Sequence, residues 1–131
     1  MVRRILLTVL LLLLPGCQQS PQQARKELAE LGIEFTPYSF HQSVRNGDAV
    51  VVELFLTAGM NPDLDDVNSE LTPLMQATLK NHLAVVGVLL DWGAEISAQD
   101  SAGRTAVDLA TALGHDEMVR LLVRAREGWF E

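Results

Sequence analysis

The segment TPLMQATLKNH, residues 72–82, has two variant copies in this chain. They are YSFHQSVRNGD at residues 38–48 and TAVDLATALGH at residues 105–115, and successive copies begin 34 and 33 residues apart. A repeat of this length is typical of a stack of small units, each of which buries its apolar face against its neighbours.

Each copy carries the signals of a short helix. Thr72 can cap the amino end of a helix whose first residue is Pro73, where the missing N–H has no effect. Thr105 and Asp108 form a pair of the capping-box type. The residues that would end these helices can all adopt a positive φ: Gly47, Asn81 and Gly114.

A second apolar run follows each copy, at residues 50–56, 85–90 and 118–123. The first two runs are followed by Gly59 and Gly93, which can end a helix. The pattern therefore predicts an all-α protein of three units, each a helix, a tight turn, a second helix and a hairpin loop.

Helical caps are predicted at both ends of the stack. Ser20 and Gln23 have the spacing of a capping box, and Gly32 stands where a helix would stop, which predicts a cap helix over residues 21–31. Ala24, Leu28 and Leu31 would share its buried face. At the other end, Trp129 and Phe130 are predicted to fold back over the last helix pair, with a partner-binding tail as the alternative.

These features resemble the ankyrin repeat, whose pattern begins TPLH, continues with Gly-His and ends with Gly-Ala-Asp. The matching segments are Thr72-Pro73-Leu74, Gly93-Ala94-Glu95 and Gly114-His115. The resemblance implies an ankyrin-repeat solenoid of three helix-turn-helix repeats. The expected organisation is a cap helix and linker at 21–37, repeats at 38–71 and 72–104, and a third repeat with a carboxyl-terminal cap at 105–131.

The chain departs from the ankyrin pattern in its first unit. Tyr38 and Ser39 replace Thr-Pro, and one extra residue lies between Asp66 and Thr72, so an altered hairpin is expected there. The resemblance also implies that His41, in the place of the TPLH histidine, hydrogen-bonds to the neighbouring turn.

The amino terminus has the layout of a secretory signal peptide: two arginines, an apolar run and a small residue before the lone cysteine. The run from Ile5 to Leu14 is too short to span a bilayer. Leu14-Pro15-Gly16-Cys17 resembles the bacterial lipobox, which implies cleavage after residue 16, lipidation of Cys17 and a short tether at 17–20. The alternative is an ordinary secretory signal with an incidental cysteine.

The resemblance to lipoproteins also implies a location. Gln18, rather than aspartate, follows the cysteine, and this implies the outer membrane, with the domain facing the periplasm. The formal net charge of −7 would become −9 on loss of Arg3 and Arg4, leaving 8 basic and 17 acidic side chains. An acidic chain with scattered cations lacks the basic patch that binding of nucleic acid phosphates requires.

The sequence contains few residues in patterns typical of a catalytic or metal-binding site. Of the three histidines, His82 and His115 stand at equivalent repeat positions and His41 does not, and such positions lie too far apart for the imidazoles to share zinc. No nucleophile has a matching base and acid, so we expect neither an enzyme nor a cofactor. The sharpest charge cluster runs from Asp63 to Glu70. It lacks the glycine and final glutamate of a calcium loop, which favours a solvated acidic loop. The alternative is a calcium- or ligand-binding lipoprotein whose ligands would be Asp63, Asp65, Asn68 and Glu70.

The remaining candidate site is a protein-binding surface. The resemblance implies protein binding through hairpin tips, here residues 67–71 and Ser101, Ala102 and Arg104. It also implies binding through the concave ends of the first helices, here the pairs Arg45 and Asn46, Leu79 and Lys80, and Ala112 and Leu113. The predicted contact residues are Arg45, Asn46, Glu70, Leu71, Leu79, Lys80, Trp92, Ser101, Arg104 and Leu113. Trp92, Arg45 and Arg104 are the hot-spot candidates, because aromatics and arginine dominate interface energetics. For Trp92, a place in the peripheral core is the alternative.

The expected partner is a periplasmic or envelope protein with a basic patch, which a monomeric acidic module would inhibit, neutralise as an immunity protein, or scaffold. A structural role in the envelope, without a soluble partner, is a third possibility. The patch of Leu79 and Leu113 is expected to be apolar and exposed.

Overall fold

The computed structural model describes residues 19–128, which form seven helices and no strand. Their bounds are α1 Pro21–Glu30, α2 Pro37–Asn46, α3 Ala49–Thr57, α4 Pro73–Leu79, α5 Leu83–Asp91, α6 Ala106–Leu113 and α7 Asp116–Arg126. The pairs α2/α3, α4/α5 and α6/α7 are the three predicted units, and α1 precedes them. The predicted all-α solenoid of helix-turn-helix repeats is confirmed.

Threonine caps start the first helix of every unit. Thr72 accepts a hydrogen bond from the Met75 backbone N–H, and Thr105 forms a complete capping box with Asp108. In the first unit the helix begins before Tyr38, at Pro37, because Thr36 and Pro37 supply the N-cap and first helical residue. This helix is therefore ten residues long, against seven in α4.

Residues with positive φ end the first helices, as predicted. Gly47, Asn81 and Gly114 have φ values of 75°, 57° and 71°. Gly59 and Gly93 follow the second helices of the first two units, also at positive φ. The chain leaves each second helix there and enters a hairpin loop. We call residues 60–72 the first hairpin and residues 94–105 the second hairpin.

The core runs through the stack. Helices α2, α4 and α6 pack side by side in that order, and α3, α5 and α7 form the second layer. Large side chains that are fully buried come from every unit: Phe40, Val44, Val52, Phe55, Leu74, Met75, Val85, Val86, Leu89, Met118 and Leu122. No helix here is longer than eleven residues, so packing between units supplies most of the stability.

Helix α1 covers the outer side of α3, as expected of a cap. Its residues Ala24 and Leu28 are buried, and the Arg25 guanidinium donates to the Ala58 carbonyl at 3.2 Å. Leu31, predicted on the buried face, is exposed. The reason is that the helix ends at Glu30, and Ile33 turns back instead to pack on the core.

Ser20 makes only half of the predicted capping box. Its hydroxyl accepts from the Gln23 backbone N–H at 3.1 Å, whereas the Gln23 side chain turns to Glu27. The predictions for the signal peptide, Cys17, Trp129 and Phe130 fall outside residues 19–128. Within that range, every helix is too short or too polar to cross a bilayer.

Candidate functional site

The carboxyl ends of α2, α4 and α6 form a row, because these helices lie next to one another. They bring together three predicted pairs of contact residues: Arg45 and Asn46, Leu79 and Lys80, Ala112 and Leu113. Asn46, Lys80 and both members of the last pair are exposed. Leu79, predicted to be exposed beside Leu113, is only partly so, since its helix is covered by neighbours on both sides.

The two hairpins lead into the amino ends of α4 and α6 and are joined to each other. The Glu95 backbone N–H donates to the Asp63 carboxylate at 2.8 Å, across the gap between them. The first hairpin closes through Asp66 N–H to the Leu71 carbonyl, and the second through Asp100 N–H to the Arg104 carbonyl. The two hairpins therefore lie next to one another.

Asp66 is the centre of a buried hydrogen-bond network. Its side chain is only 6% exposed, although the sequence pattern favoured a solvated loop. One carboxylate oxygen accepts from the Asn68 backbone N–H at 3.0 Å. The other accepts from the Arg45 guanidinium at 2.6 Å and from the Gln76 amide at 3.0 Å. These contacts tie the hairpin to helices of both flanking units.

The network continues inward to His41. The histidine Nδ1 donates to the Gln76 carbonyl oxygen at 3.1 Å, so the imidazole reaches the turn through Gln76 rather than directly. Gln76 also donates to the Ser69 hydroxyl. His41, Gln76 and Asp66 are all buried, and burial strengthens such bonds while making each one expensive to lose.

Hydrogen bonding lowers the pKa of Asp66 below its ordinary value. The backbone N–H of Asn68 contributes most, and Arg45 and Gln76 add to it against the opposing effect of burial. Each donor stabilises the ionised carboxylate. The carboxylate is therefore an anion at neutral pH and holds its donors in place.

Asp100 has the same role in the second hairpin. Its carboxylate accepts from the backbone N–H groups of Ala102 and Arg104, each at 2.9 Å, and pairs with the Arg104 guanidinium. These bonds, led by that from the Arg104 N–H, lower the pKa of Asp100. Both arginines predicted as hot spots, Arg45 and Arg104, are therefore engaged in ion pairs within the protein. The Arg45 side chain retains 32% exposure and that of Arg104 retains 56%.

Glu70 has an unusual backbone conformation. Its φ is 55°, and Gly103 takes the corresponding place in the second hairpin with a φ of 77°. Glutamate in this left-handed region is strained because its Cβ crowds the backbone. The first hairpin is altered as expected, because the extra residue between Asp66 and Thr72 makes its tip one residue longer than the second.

Replacing Glu70 by glycine is expected to stabilise the fold by about 0.5–1 kcal/mol. Relief of the left-handed strain, about 1–2 kcal/mol, exceeds the added entropy of the unfolded chain. Thermal unfolding would show a higher Tm than that of Glu70→Ala, the control that keeps a Cβ. A Tm at or below that of the control would contradict the strain.

The carboxylates of the first hairpin do not converge into a metal site. Asp63 faces the second hairpin and Asp66 faces Arg45, while Asp65 and Glu70 are exposed. Throughout residues 19–128, no three histidine, cysteine, aspartate or glutamate side chains are placed to hold a metal ion. The calcium alternative has no support in this geometry.

Apolar side chains at the surface are spread over several elements. Trp92, at the end of α5, is 41% exposed. This exposure is intermediate between that expected of a contact residue and that expected of a peripheral core residue. Leu113 is exposed at the end of α6. Val67, at the first hairpin tip, is 90% exposed, more than any other large apolar residue in the described part of the chain. The sequence pattern placed Val67 at the tip but gave no reason to single it out.

This chain is similar to a known protein family and to individual known proteins. A family model described as "Ankyrin repeats (3 copies)" matches residues 7–100 and 40–128. Cyclin-dependent kinase inhibitor 2A of Homo sapiens is 36% identical over 87 residues, which cover 66% of this chain and 56% of that protein. Protein phosphatase 1 regulatory subunit 27 of Mus musculus is 32% identical over 107 residues, covering 79% of this chain and 69% of that protein.

A third relative is much longer than the match. The B-cell lymphoma 3 protein homolog of Mus musculus is 36% identical over 87 residues, but these make up only 19% of its length. Ankyrin repeats mediate protein–protein interaction, and the exposed hairpin tips and helix ends described above suit that role. The family model and the helix pairs agree, and the chain belongs to the ankyrin repeat family.

Proposed function

We propose that this protein is a non-enzymatic module that binds one protein partner through its hairpin tips and the carboxyl ends of α2, α4 and α6. The observation that carries the proposal is the Asp66 network, which fixes the first hairpin in one shape before any partner arrives. A surface that is already ordered loses little conformational entropy on binding.

Charge favours a basic partner. Between Asn46 and Arg104 the one basic residue is Lys80. The same segment holds nine acidic residues: Asp48, Glu53, Asp63, Asp65, Asp66, Glu70, Asp91, Glu95 and Asp100. Such an imbalance steers a positively charged protein toward the hairpins and weakens with added salt.

The proposed action on the partner is inhibition, neutralisation or scaffolding. Two relatives carry names of this kind, a kinase inhibitor and a phosphatase regulatory subunit. Those names describe the relatives; for this chain they support a regulator that works by occupying another protein's surface. The chain matches 56% of the length of the kinase inhibitor. The regulatory activity of this protein is therefore proposed and is not inferred from that relative.

The binding proposal is tested by capture and titration. The full-length protein is cross-linked in its host envelope, and the captured protein is identified, purified and titrated by calorimetry. A Leu113→Asp variant at the end of α6 is expected to bind at least about fivefold more weakly, whereas Glu117→Lys on the opposite layer retains affinity. Equal affinities would remove the helix ends from the binding surface.

The second part of the proposal is a lipid tether at Cys17 that holds the domain at the periplasmic face of the outer membrane. It is supported by the lipobox-like Leu14-Pro15-Gly16-Cys17 behind an apolar run. Several acyl chains make a stable anchor, whereas one chain is marginal.

Replacing Cys17 by serine is expected to move the protein from the membrane fraction to the soluble fraction and to abolish labelling with a radioactive fatty acid. Without the thiol, no diacylglyceryl group can be attached. Gln18→Ser is the matched control, since it changes the neighbouring residue and keeps the thiol. If the Cys17→Ser protein stayed with the membrane, the tether would have to be abandoned.

A further inference from the structure

We infer that the tip of the first hairpin is the principal contact for the partner, with Val67 entering an apolar pocket and Glu70 pairing with arginine or lysine at its edge. This rests on the proposed protein-binding function and names the kind of surface the partner presents. It also changes the hot-spot assignment, because Arg45 and Arg104 already have partners within the chain.

Val67 differs from other exposed apolar residues because the turn that carries it is held by several hydrogen bonds. A single exposed apolar residue is ordinary on a protein surface. Val67, however, directly follows the buried Asp66, and the N–H groups of Ser69 and Glu70 both donate to the Asp66 carbonyl, at 3.1 and 2.7 Å. With the Asp66 carboxylate holding the Asn68 N–H, the turn that carries Val67 is fixed on both sides.

The second hairpin forms a comparable turn around Asp100 with other residues beside it. There Ser101 follows Asp100, and glycine occupies the left-handed position as Gly103. The first hairpin keeps the aspartate but carries valine and glutamate at the other two places. Neither substitution improves the turn, since valine is left in water and glutamate is strained.

Backbone strain of this kind persists where the surrounding structure imposes it, and it is concentrated at functional sites. The Glu70 side chain is exposed and makes no hydrogen bond or ion pair within residues 19–128. Its charge is therefore free to interact with another molecule.

The charges around the tip define the partner's complement. Asp65 and Glu70 are both exposed, and Arg45, which the hairpin holds, is neutralised by Asp66. The surface offered is one apolar side chain next to two free carboxylates. The matching surface is a small apolar pocket bordered by guanidinium or ammonium groups.

The experiment titrates the captured and purified partner with full-length variants. Val67→Ser removes the apolar contact, and Val50→Ser is its matched control, since Val50 is 67% exposed near the start of α3. We expect at least about tenfold weaker binding for Val67→Ser and less than about twofold for Val50→Ser.

Glu70 is tested with two variants that separate charge from folding. Glu70→Gln keeps the backbone strain and removes the charge; it should bind more slowly and with a weaker dependence on salt than the wild type. Glu70→Gly should bind more weakly even though its Tm rises, which a folding defect cannot explain.

The outcomes distinguish this inference from the proposed function. If Val67→Ser and Val50→Ser bind alike, or the Glu70 variants bind as the wild type does, the tip is not the principal contact, while protein binding stands. If the wild-type protein captures no partner that binds it in titration, both proposals are overturned.

Discussion

Replacing Asp66 by alanine is expected to lower the free energy of unfolding by about 2–3 kcal/mol, measured by urea denaturation at pH 7. The change leaves the Asn68 N–H, the Gln76 amide and the Arg45 guanidinium without their acceptor. Removing one member of a buried ion pair costs about 3–5 kcal/mol, and partial solvation of Arg45 reduces this.

Asp65→Ala is the matched control for this prediction. Asp65 is the adjacent aspartate, it is exposed, and its carboxylate makes no hydrogen bond within the described residues. Its replacement is expected to change stability by no more than about 0.5 kcal/mol. Similar losses in the two variants would show that total loop charge, rather than the buried network, stabilises the hairpin.

The same carboxylate predicts an acid dependence. Because the folded pKa of Asp66 lies below its value of about 3.9 in an unfolded chain, its contribution is complete above that value and is lost as the pH falls through the folded pKa. The stability of the wild type should therefore fall more steeply between pH 5 and pH 2 than that of Asp66→Asn. Parallel curves would contradict the lowered pKa.

Replacing Gly47 by alanine is expected to lower the free energy of unfolding by about 2–3 kcal/mol. A Cβ at this position would lie 2.7 Å from Nδ1 of His82. The His82 ring cannot move away freely, because its Nε2 donates to the Arg45 carbonyl at 2.9 Å. The loss combines left-handed strain, a displaced ring and a broken hydrogen bond between the first two repeats.

Gly114→Ala separates these effects. Gly114 has nearly the same φ as Gly47, but a Cβ there would meet no atom within 4 Å. Only the strain remains, offset in part by the lower entropy of the unfolded chain, so a loss of about 1 kcal/mol is expected. If both alanine variants lost the same amount, the contact with His82 would not matter to stability.

Much of the fold could be predicted because its signals are local. Thr72, Pro73, the Thr105–Asp108 pair and the glycines act within one helix turn, and each does what its residue type and spacing indicate. Helix α2 begins at Pro37, one residue before the first copy of the repeat, because Thr36 and Pro37 supply the N-cap and the first helical residue.

The candidate site was harder to predict because its contacts are distant in sequence. Arg45 and Asp66 are 21 residues apart, and His41 and Gln76 are 35 apart, so no local pattern distinguishes the buried Asp66 from the exposed Asp65. One signal was available. Asp66 and Asp100 stand at similar distances before Thr72 and Thr105, and a residue that recurs in two hairpins is better explained by a structural role than by solvation.

The position of the Asp66 network in the chain affects when the protein becomes competent to bind. Arg45 belongs to the first repeat and Gln76 to the second, so both must be docked before the loop between them takes its final shape. A molecule still folding, or one that has lost its second repeat to proteolysis, would lack an ordered tip. If the proposed partner binds at this tip, only molecules that have completed assembly would be recognised, and damaged copies would not compete for it.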